Sequence, residues 1–321
     1  MKVLFITSSR IGDAVLSTGL LRNLKDTYPG AHITVVCGPL AASLFAGVPG
    51  LERVIALKKQ KHNKHWIELW REVWPIKWDI VVDLRNSAVS RLIRAKKRCI
   101  FDRRIDQNLH KVEQNAAVMA LNHVPAPQLW PTKEQSEAAY QLIPPGGAVL
   151  GVGPTANWAG KTWPAERFIA LISLLTGSDG ILPGARVAVF AAPGEEDSAY
   201  QVLSSVPEAL QIDIIAKTDP GTAAAALQRC ALYVGNDSGL MHCAAAMGVP
   251  TFGLFGPSWP HLYRPWGAHT AYAATPKNYD ELIDFPGYDS KTAGSLMTSL
   301  DVETVYNAIG DFWERHEPRA A

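Results

Sequence analysis

Tyr233 to Gly267, YVGNDSGLMHCAAAMGVPTFGLFGPSWPHLYRPWG, is the stretch on which the reading of this chain turns. It predicts a buried strand over Ala231–Val234 and a tight turn carrying Gly235, Asn236, Asp237, Ser238 and Gly239. A helix of small residues follows, then a second apolar strand over Thr251–Phe255, closed by the sharp Gly256-Pro257 turn. A strand that ends in a glycine turn and feeds directly into a helix presents unpaired backbone N–H groups, backed by the positive end of the helix dipole. Such a place suits a diphosphate. A simple N-cap at Asp237 or Ser238 would explain either residue alone. Gly235 and Gly239 would let backbone approach a ligand closely, and His242, one helical turn beyond Ser238, reaches the same rim. Whether His242 touches ligand or is structural stays open.

Outward from this stretch, strand-like runs alternate with amphipathic helical patterns: Val3–Ile6, Ile33–Val36, Val54–Leu57 and Ile80–Leu84, then Ala148–Val152, Val187–Ala191, Ile212–Ile215 and Leu232–Val234. This alternation is that of parallel sheets covered on both faces. A length of 321 residues, 47% of them hydrophobic, favours two cores over one. The prolines and glycines at 125, 127, 131 and 144–147 bracket the junction, giving an expected N-terminal Rossmann-like domain over 1–145 and a C-terminal one over 146–321. A cleft between them is expected, with a closing helix from about 302 to 316 packing back on the first domain.

Charge divides the halves more sharply than the net +1 suggests. Residues 1–149 carry 21 Lys and Arg against 12 Asp and Glu, or +9, whereas 150–321 carry 10 against 18, or −8. The excess concentrates between Lys58 and Arg104, including Lys58, Lys59, Lys61 and Lys64 and the run Arg94, Lys96, Lys97, Arg98. A basic lobe implies an anionic partner such as a phosphorylated lipid, an acidic sugar or nucleic acid. Trp66, Trp70 and Trp74, four residues apart, would form one helical stripe, either core packing or a membrane-facing surface. No apolar run is long enough to span a bilayer, no signal-peptide pattern precedes the first strand, and the four cysteines are scattered without metal-ligand spacing. A cytoplasmic protein with reduced thiols is expected.

In open α/β sheets ligands gather at the carboxyl ends of strands. After the first strand comes Thr7-Ser8-Ser9-Arg10-Ile11-Gly12-Asp13, where Gly12 stands alone and the dinucleotide fingerprint G-x-G-x-x-G is absent. Read from these residues, Asp13 is a carboxylate favoured by a helix N-terminus. After the first strand of the second half, Gly160-Lys161-Thr162 imitates a phosphate-binding P-loop. The glycine required five residues before Gly160 is Thr155, however, so what remains is a long loop delivering one lysine. The loop after Phe190-Ala191 carries Glu195 and Glu196, either a solvated first helical turn or a carboxylate able to accept two ribose hydroxyls.

The Gly-Asn-Asp-Ser-Gly-x-x-His-x-Ala-Ala run at 235–245, with its following strand and Phe-Gly-Pro turn at 255–257, resembles the signature of glycosyltransferase family 9, the heptosyltransferases. Three further places extend the resemblance over nearly the whole chain: the loop at Asp13, Lys161 two residues before Trp163-Pro164, and the Ala-Pro-x-Glu turn at Glu195. The resemblance implies a GT-B type fold of two doubly wound domains and inverting transfer of a heptose from an ADP-sugar to lipopolysaccharide core or another anionic glycolipid. It implies Asp13 as catalytic base, and Thr155, Lys161, Glu195, Asp237, Ser238, Gly239 and His242 as donor-binding. The basic lobe, with Arg10, Arg94, Lys96, Lys97 and Arg98, would take the acceptor, in place of nucleic acid, with peripheral contact at the inner membrane surface. No Asp-x-Asp cluster is evident, so metal-independent chemistry without a further cofactor is expected. A sugar-nucleotide epimerase of the same architecture, or a nucleotide-sugar-binding protein without catalysis, are the alternatives.

Overall fold

The computed structural model describes residues 1–290 and 292–316. Five strands form the first sheet: β1 (Lys2–Ile6), β2 (His32–Cys37), β3 (Leu51–Ala56), β4 (Trp78–Asp83) and β5 (Ala95–Ile100), all parallel in the order β3-β2-β1-β4-β5. Val3, Leu4, Phe5 and Ile6 are buried in succession, as expected where helices cover both faces. The helical pattern after β1 is two helices, Ile11–Leu16 and Thr18–Thr27. At the break, the Ser17 hydroxyl donates to the Ala14 carbonyl at 2.7 Å and lies 2.8 Å from the buried Thr7 hydroxyl.

The second sheet holds β6 (Val149–Gly153), β7 (Arg186–Ala191), β8 (Gln211–Ile215), β9 (Leu232–Asn236), β10 (Thr251–Phe255) and β11 (Thr270–Ala274). Its order β8-β7-β6-β9-β10-β11, parallel throughout, is that of the doubly wound dinucleotide fold. The strand order reverses between β6 and β9. Ligand is expected above that point, where the Lys161 loop leaves β6 and the Asp237 turn leaves β9.

Two strands escape the sequence reading, β5 and β11, and both are edges. An edge strand carries charge or alternates weakly, because unpaired backbone at a sheet margin has to be protected from further pairing. In β5 the protection is the basic run itself, Lys96-Lys97-Arg98. The compact units are Met1–Glu134 together with Asp219–Gly221, and Gln135–Thr218 together with Thr222 onward, so the division falls ahead of the Pro-Gly stretch at 144–147. The closing helix, Val302–His316, was expected to return to the first domain. Its apolar stripe Val305, Ile309 and Phe312 is fully buried in the core of the second unit, with the Phe312 ring centroid 6.0 Å from that of Phe252.

Trp66 and Trp70 of the helix Lys64–Val73 pack against the first unit's core beside Leu69, Val73 and Trp78. Trp74, just past that helix, is 44% exposed. The stripe is therefore core at two positions and surface at the third.

Candidate active site

The second sheet brings its sequence-predicted residues to the carboxyl ends of three adjacent strands. From β6 the chain runs through Thr155 to a single 3-10 turn, Ala159–Lys161, before the helix Ala165–Thr176. That loop is tied down on one side by a C-terminal segment. The Trp158 indole donates to Ser290 O (2.7 Å), Leu296 N to Gly160 O (3.1 Å), the Ser295 hydroxyl to Thr162 O (2.6 Å) and the Trp163 indole to Leu300 O (2.8 Å). On the other side the Asn236 side-chain oxygen accepts the Trp163 backbone N–H at 3.0 Å.

So held, the loop places Lys161 Nζ 2.5 Å from Asp237 Oδ2, with the aspartate side chain 7% exposed and the lysine 24%. His242 Nε2 lies 4.0 Å from the other oxygen, Oδ1, and is itself buried. The geometry divides the labour. A carboxylate accepts hydrogen bonds and cannot donate to a phosphate, whereas an ammonium has three donors, of which Asp237 occupies one. Asp237 aims the lysine, and Lys161 is the cation able to meet an anion.

Ser238 occupies the N-cap position of the helix Gly239–Ala246 with extended backbone, yet its side chain makes no capping bond, and its buried hydroxyl lies against that of Tyr233. Capping thus does not account for it. Gly235 and Asn236 belong to β9, not to a turn. Gly235 is glycine for a packing reason: a Cβ there, or at Gly153, would collide with the hydroxyl of the fully buried Tyr233. Burial pushes that hydroxyl's pKa well above its ordinary value.

On the neighbouring strand, Glu195 precedes the helix Glu196–Leu203 without capping it. Its Oε2 accepts both the Thr155 hydroxyl (2.5 Å) and the Ala192 N–H (3.1 Å). Glu196 instead accepts from Gly194 N at 2.7 Å. The two predicted donor residues Thr155 and Glu195 therefore meet each other, and the threonine orients the carboxylate.

In the first unit, Asp13 is the third residue of the helix Ile11–Leu16 and half-buried, with the Ser8 hydroxyl donating weakly at 3.4 Å. Arg10 is exposed at the N-cap position of that helix. A residue not singled out from sequence lies within electrostatic range of Asp13. Burial pushes the Lys111 ammonium's pKa down and the Asp13 carboxylate opposes that shift, while Lys111 Nζ donates to Gln114 Oε1 at 2.9 Å. Nothing in the local sequence marks Lys111, because 98 positions separate it from Asp13 and only the fold unites them.

Within the basic run Arg94–Arg98 several side chains have partners in the protein itself. Arg98 spends its guanidinium on the carbonyls of Ser90, Ala95 and Ile93, Arg94 donates to Pro75 O, and Lys96 pairs with Asp79 at 2.7 Å. In register, Ala95 lies beside Trp78 and Ile100 beside Asp83, so Arg94 and Lys96 sit near the amino ends of the strands. Asp13 follows β1, whose Ile6 lies beside Asp83 at the carboxyl ends. These basic residues lie on and beside the edge strand β5. Lys58, Lys59, Lys61 and Lys64, all exposed, follow β3 at its carboxyl end.

Among the described residues no group of three His, Cys, Asp or Glu side chains is arranged to hold a metal ion, and no helix is long and apolar enough to cross a membrane. All four cysteines are buried and free; Cys37, Cys230 and Cys243 have pKa values pushed up by burial to about 12.

This architecture is shared with solved structures. A glycosyl transferase family 9 protein from Veillonella parvula DSM 2008 superposes with a TM-score of 0.79 at 22% identity, covering 98% of this chain and 97% of that one. E. coli heptosyltransferase WaaC with ADP gives 0.73 at 20% identity, covering 97% and 100%. At those identities the likeness shows the fold, the GT-B type. In sequence, lipopolysaccharide heptosyltransferase 2 of Salmonella typhimurium strain LT2 is 23% identical over 309 residues, spanning 83% of this chain and 85% of the relative. Lipopolysaccharide heptosyltransferase 1 of Escherichia coli O18:K1:H7 is 24% identical over 310 residues, spanning 87% and 93%. The profile of glycosyltransferase family 9 (heptosyltransferase) matches residues 90–282, which take in the Lys161 loop, the Glu195 turn and the Asp237–His242 run. The chain is a glycosyltransferase and belongs to family 9, the heptosyltransferases.

Proposed function

We propose that this chain transfers a heptose from ADP-heptose to a sugar of an anionic glycolipid of the lipopolysaccharide core, with inversion and without a divalent metal or other cofactor. The observation that carries the reading is the Lys161–Asp237 pair at the order reversal of the second sheet, beside the start of the helix Gly239–Ala246. A lysine and helix N–H groups there supply the positive charge that a departing diphosphate needs. Glu195, aimed by Thr155 one strand away, suits the ribose hydroxyls. Its position selects no base, and the choice of adenine rests on relatives, among them WaaC, solved with ADP.

In the reaction, Asp13 accepts the proton of the acceptor hydroxyl as that oxygen bonds to the anomeric carbon. The anomeric C–O bond to the diphosphate breaks, and ADP leaves with the electron pair, stabilised by Lys161 and the backbone donors near Ser238 and Gly239. One base and one leaving group imply a single in-line displacement, hence inversion.

For the acceptor, Arg10 and the exposed lysines 58, 59, 61 and 64 share the carboxyl end of the first sheet with Asp13 and are favoured over Arg94–Arg98. A glycolipid acceptor would bring the protein to the cytoplasmic surface of the inner membrane as a peripheral visitor. The test is incubation of the chain with ADP-heptose and a heptose-free core glycolipid, reading ADP release and product mass and the anomeric configuration by NMR. A glycosylated product of inverted configuration is expected. Conversion of the donor in the absence of acceptor would establish an epimerase instead, and binding without turnover on any core acceptor would leave a nucleotide-sugar-binding protein.

A further inference from the structure

The loop after β10 carries features that the donor site described above does not use. Ser258 is 6% exposed and its hydroxyl is buried without a hydrogen-bond partner. The next residue, Trp259, is 39% exposed, and its ring rests on that of Tyr279 with centroids 4.4 Å apart and planes 42° apart. Tyr279 is fixed in turn, because it opens the short helix Tyr279–Ile283, whose capping box joins Asn278 and Glu281 in both directions. That helix follows β11, the strand beside β10. A tryptophan left part-exposed yet braced by a second ring on an anchored helix is preorganised for contact on its remaining surface.

Its place in the sheet suggests the ligand. The strand ends run in the order β7, β6, β9, β10, and neighbouring strands lie about 4.8 Å apart. Glu195 follows β7, Lys161 follows β6 and Asp237 follows β9. A nucleotide diphosphate-sugar laid across these ends, with ribose at β7 and diphosphate at β6 and β9, delivers its sugar over β10. There stand Ser258 and Trp259. A pyranose has a C–H-rich face that complements the electron-rich face of an indole, and hydroxyls that suit an orphaned serine.

We propose that Trp259, braced by Tyr279, is the platform on which the transferred sugar of the donor stacks, with Ser258 hydrogen-bonding a sugar hydroxyl. This rests on the donor reading given above and deepens it: Trp259 and Ser258 set the affinity for the sugar, whereas Glu195 and Lys161 hold the nucleotide. Tyr279 is a positioning residue, acting through Trp259.

The experiment is calorimetric titration of the intact chain with ADP and, separately, with ADP-heptose. Wild type, Trp259→Ala, Trp259→Phe and Tyr279→Ala are compared, with thermal unfolding as a check on the fold. Trp259→Ala is expected to weaken ADP-heptose roughly 3- to 10-fold while leaving ADP within twofold. Trp259→Phe, which keeps an aromatic face, should recover most of that loss, and Tyr279→Ala should lose part of it for ADP-heptose alone. Equal losses for ADP and ADP-heptose would place Trp259 against the nucleotide and overturn the inference, as would unchanged affinity for both. If wild type binds neither ligand, the donor reading itself fails; if it binds both and only the variants are silent, the inference alone fails. Should Trp259→Ala unfold, the same split between ligands in Trp259→Leu, which keeps bulk without an aromatic face, decides the matter, and its absence there overturns the proposal.

Discussion

Removing the Lys161 ammonium should produce two separable losses, one of stability and one of affinity. In Lys161→Ala, Asp237 keeps its 7% exposure but loses the partner 2.5 Å from Oδ2, and the next cationic candidate is His242, 4.0 Å from Oδ1. A buried carboxylate left without its charged partner destabilises the fold, and because the lysine end is one-quarter exposed the expected loss is about 1–3 kcal/mol, below that of a fully buried pair. Urea denaturation reads this as a lower midpoint at unchanged slope. ADP binding should weaken by about 1.5–3 kcal/mol, roughly 10- to 150-fold, the range for hydrogen bonds to charged groups. The double variant Lys161→Ala/Asp237→Asn separates the effects. With no charge left unpaired, most of the stability should return, whereas the ADP affinity should not. Asp237→Asn alone should cost ADP affinity less than Lys161→Ala does, since Asp237 acts by aiming the lysine. Full ADP affinity in Lys161→Ala would remove the lysine from the donor site. A double variant no more stable than the single one would refute the division of roles between the two side chains.

Asp13→Ala should lower kcat on the order of 100- to 10,000-fold while donor affinity stays within a few-fold, because a general base acts in the transition state; near-normal turnover would dismiss Asp13. Activity should be indifferent to EDTA, and a loss restored by magnesium would return a metal to the mechanism. On the basic lobe two charge reversals should part company. Lys97→Glu on the exposed edge should change stability by no more than about 0.5 kcal/mol, while Arg98→Glu, which forfeits bonds to three carbonyls, should cost about 2 kcal/mol in the same denaturation assay. For acceptor use, reversal of Lys58, Lys59 and Lys61 together should raise the acceptor KM with donor KM unchanged and with strong dependence on salt. Reversal of Lys96 and Lys97 should do neither, and the opposite pattern would restore the edge strand as the acceptor surface.

The sequence by itself determined the fold class and where the chemistry gathers. Runs such as Val-Leu-Phe-Ile at 3–6 and Val-Ala-Val-Phe-Ala at 187–191 are apolar without alternation, which only strands covered on both faces tolerate. The loops that follow such strands are contiguous with them in sequence, so Asp13, Lys161, Glu195 and Asp237 could be found as post-strand residues before any tertiary contact was known. Edges were harder to read. β5 is recognisable as a strand only through its pairing with β4, since its sequence is the charged margin of a sheet and reads as a solvated basic run. The turn at Gly235 was misread for a related reason: its missing side chain answers to Tyr233, two residues back on the same strand and packed beneath it. What only the tertiary structure decided is which charges are already spent. The sequence displays Arg94, Lys96, Arg98, Thr155 and Asp237 as if all were available to ligands. Ala95 and Ile93, which Arg98 also meets, are local to it, but Pro75, Asp79, Ser90, Glu195 and Lys161 are separated from their partners by eight to 76 positions, and such pairings depend on strand order and loop closure, which no local pattern encodes.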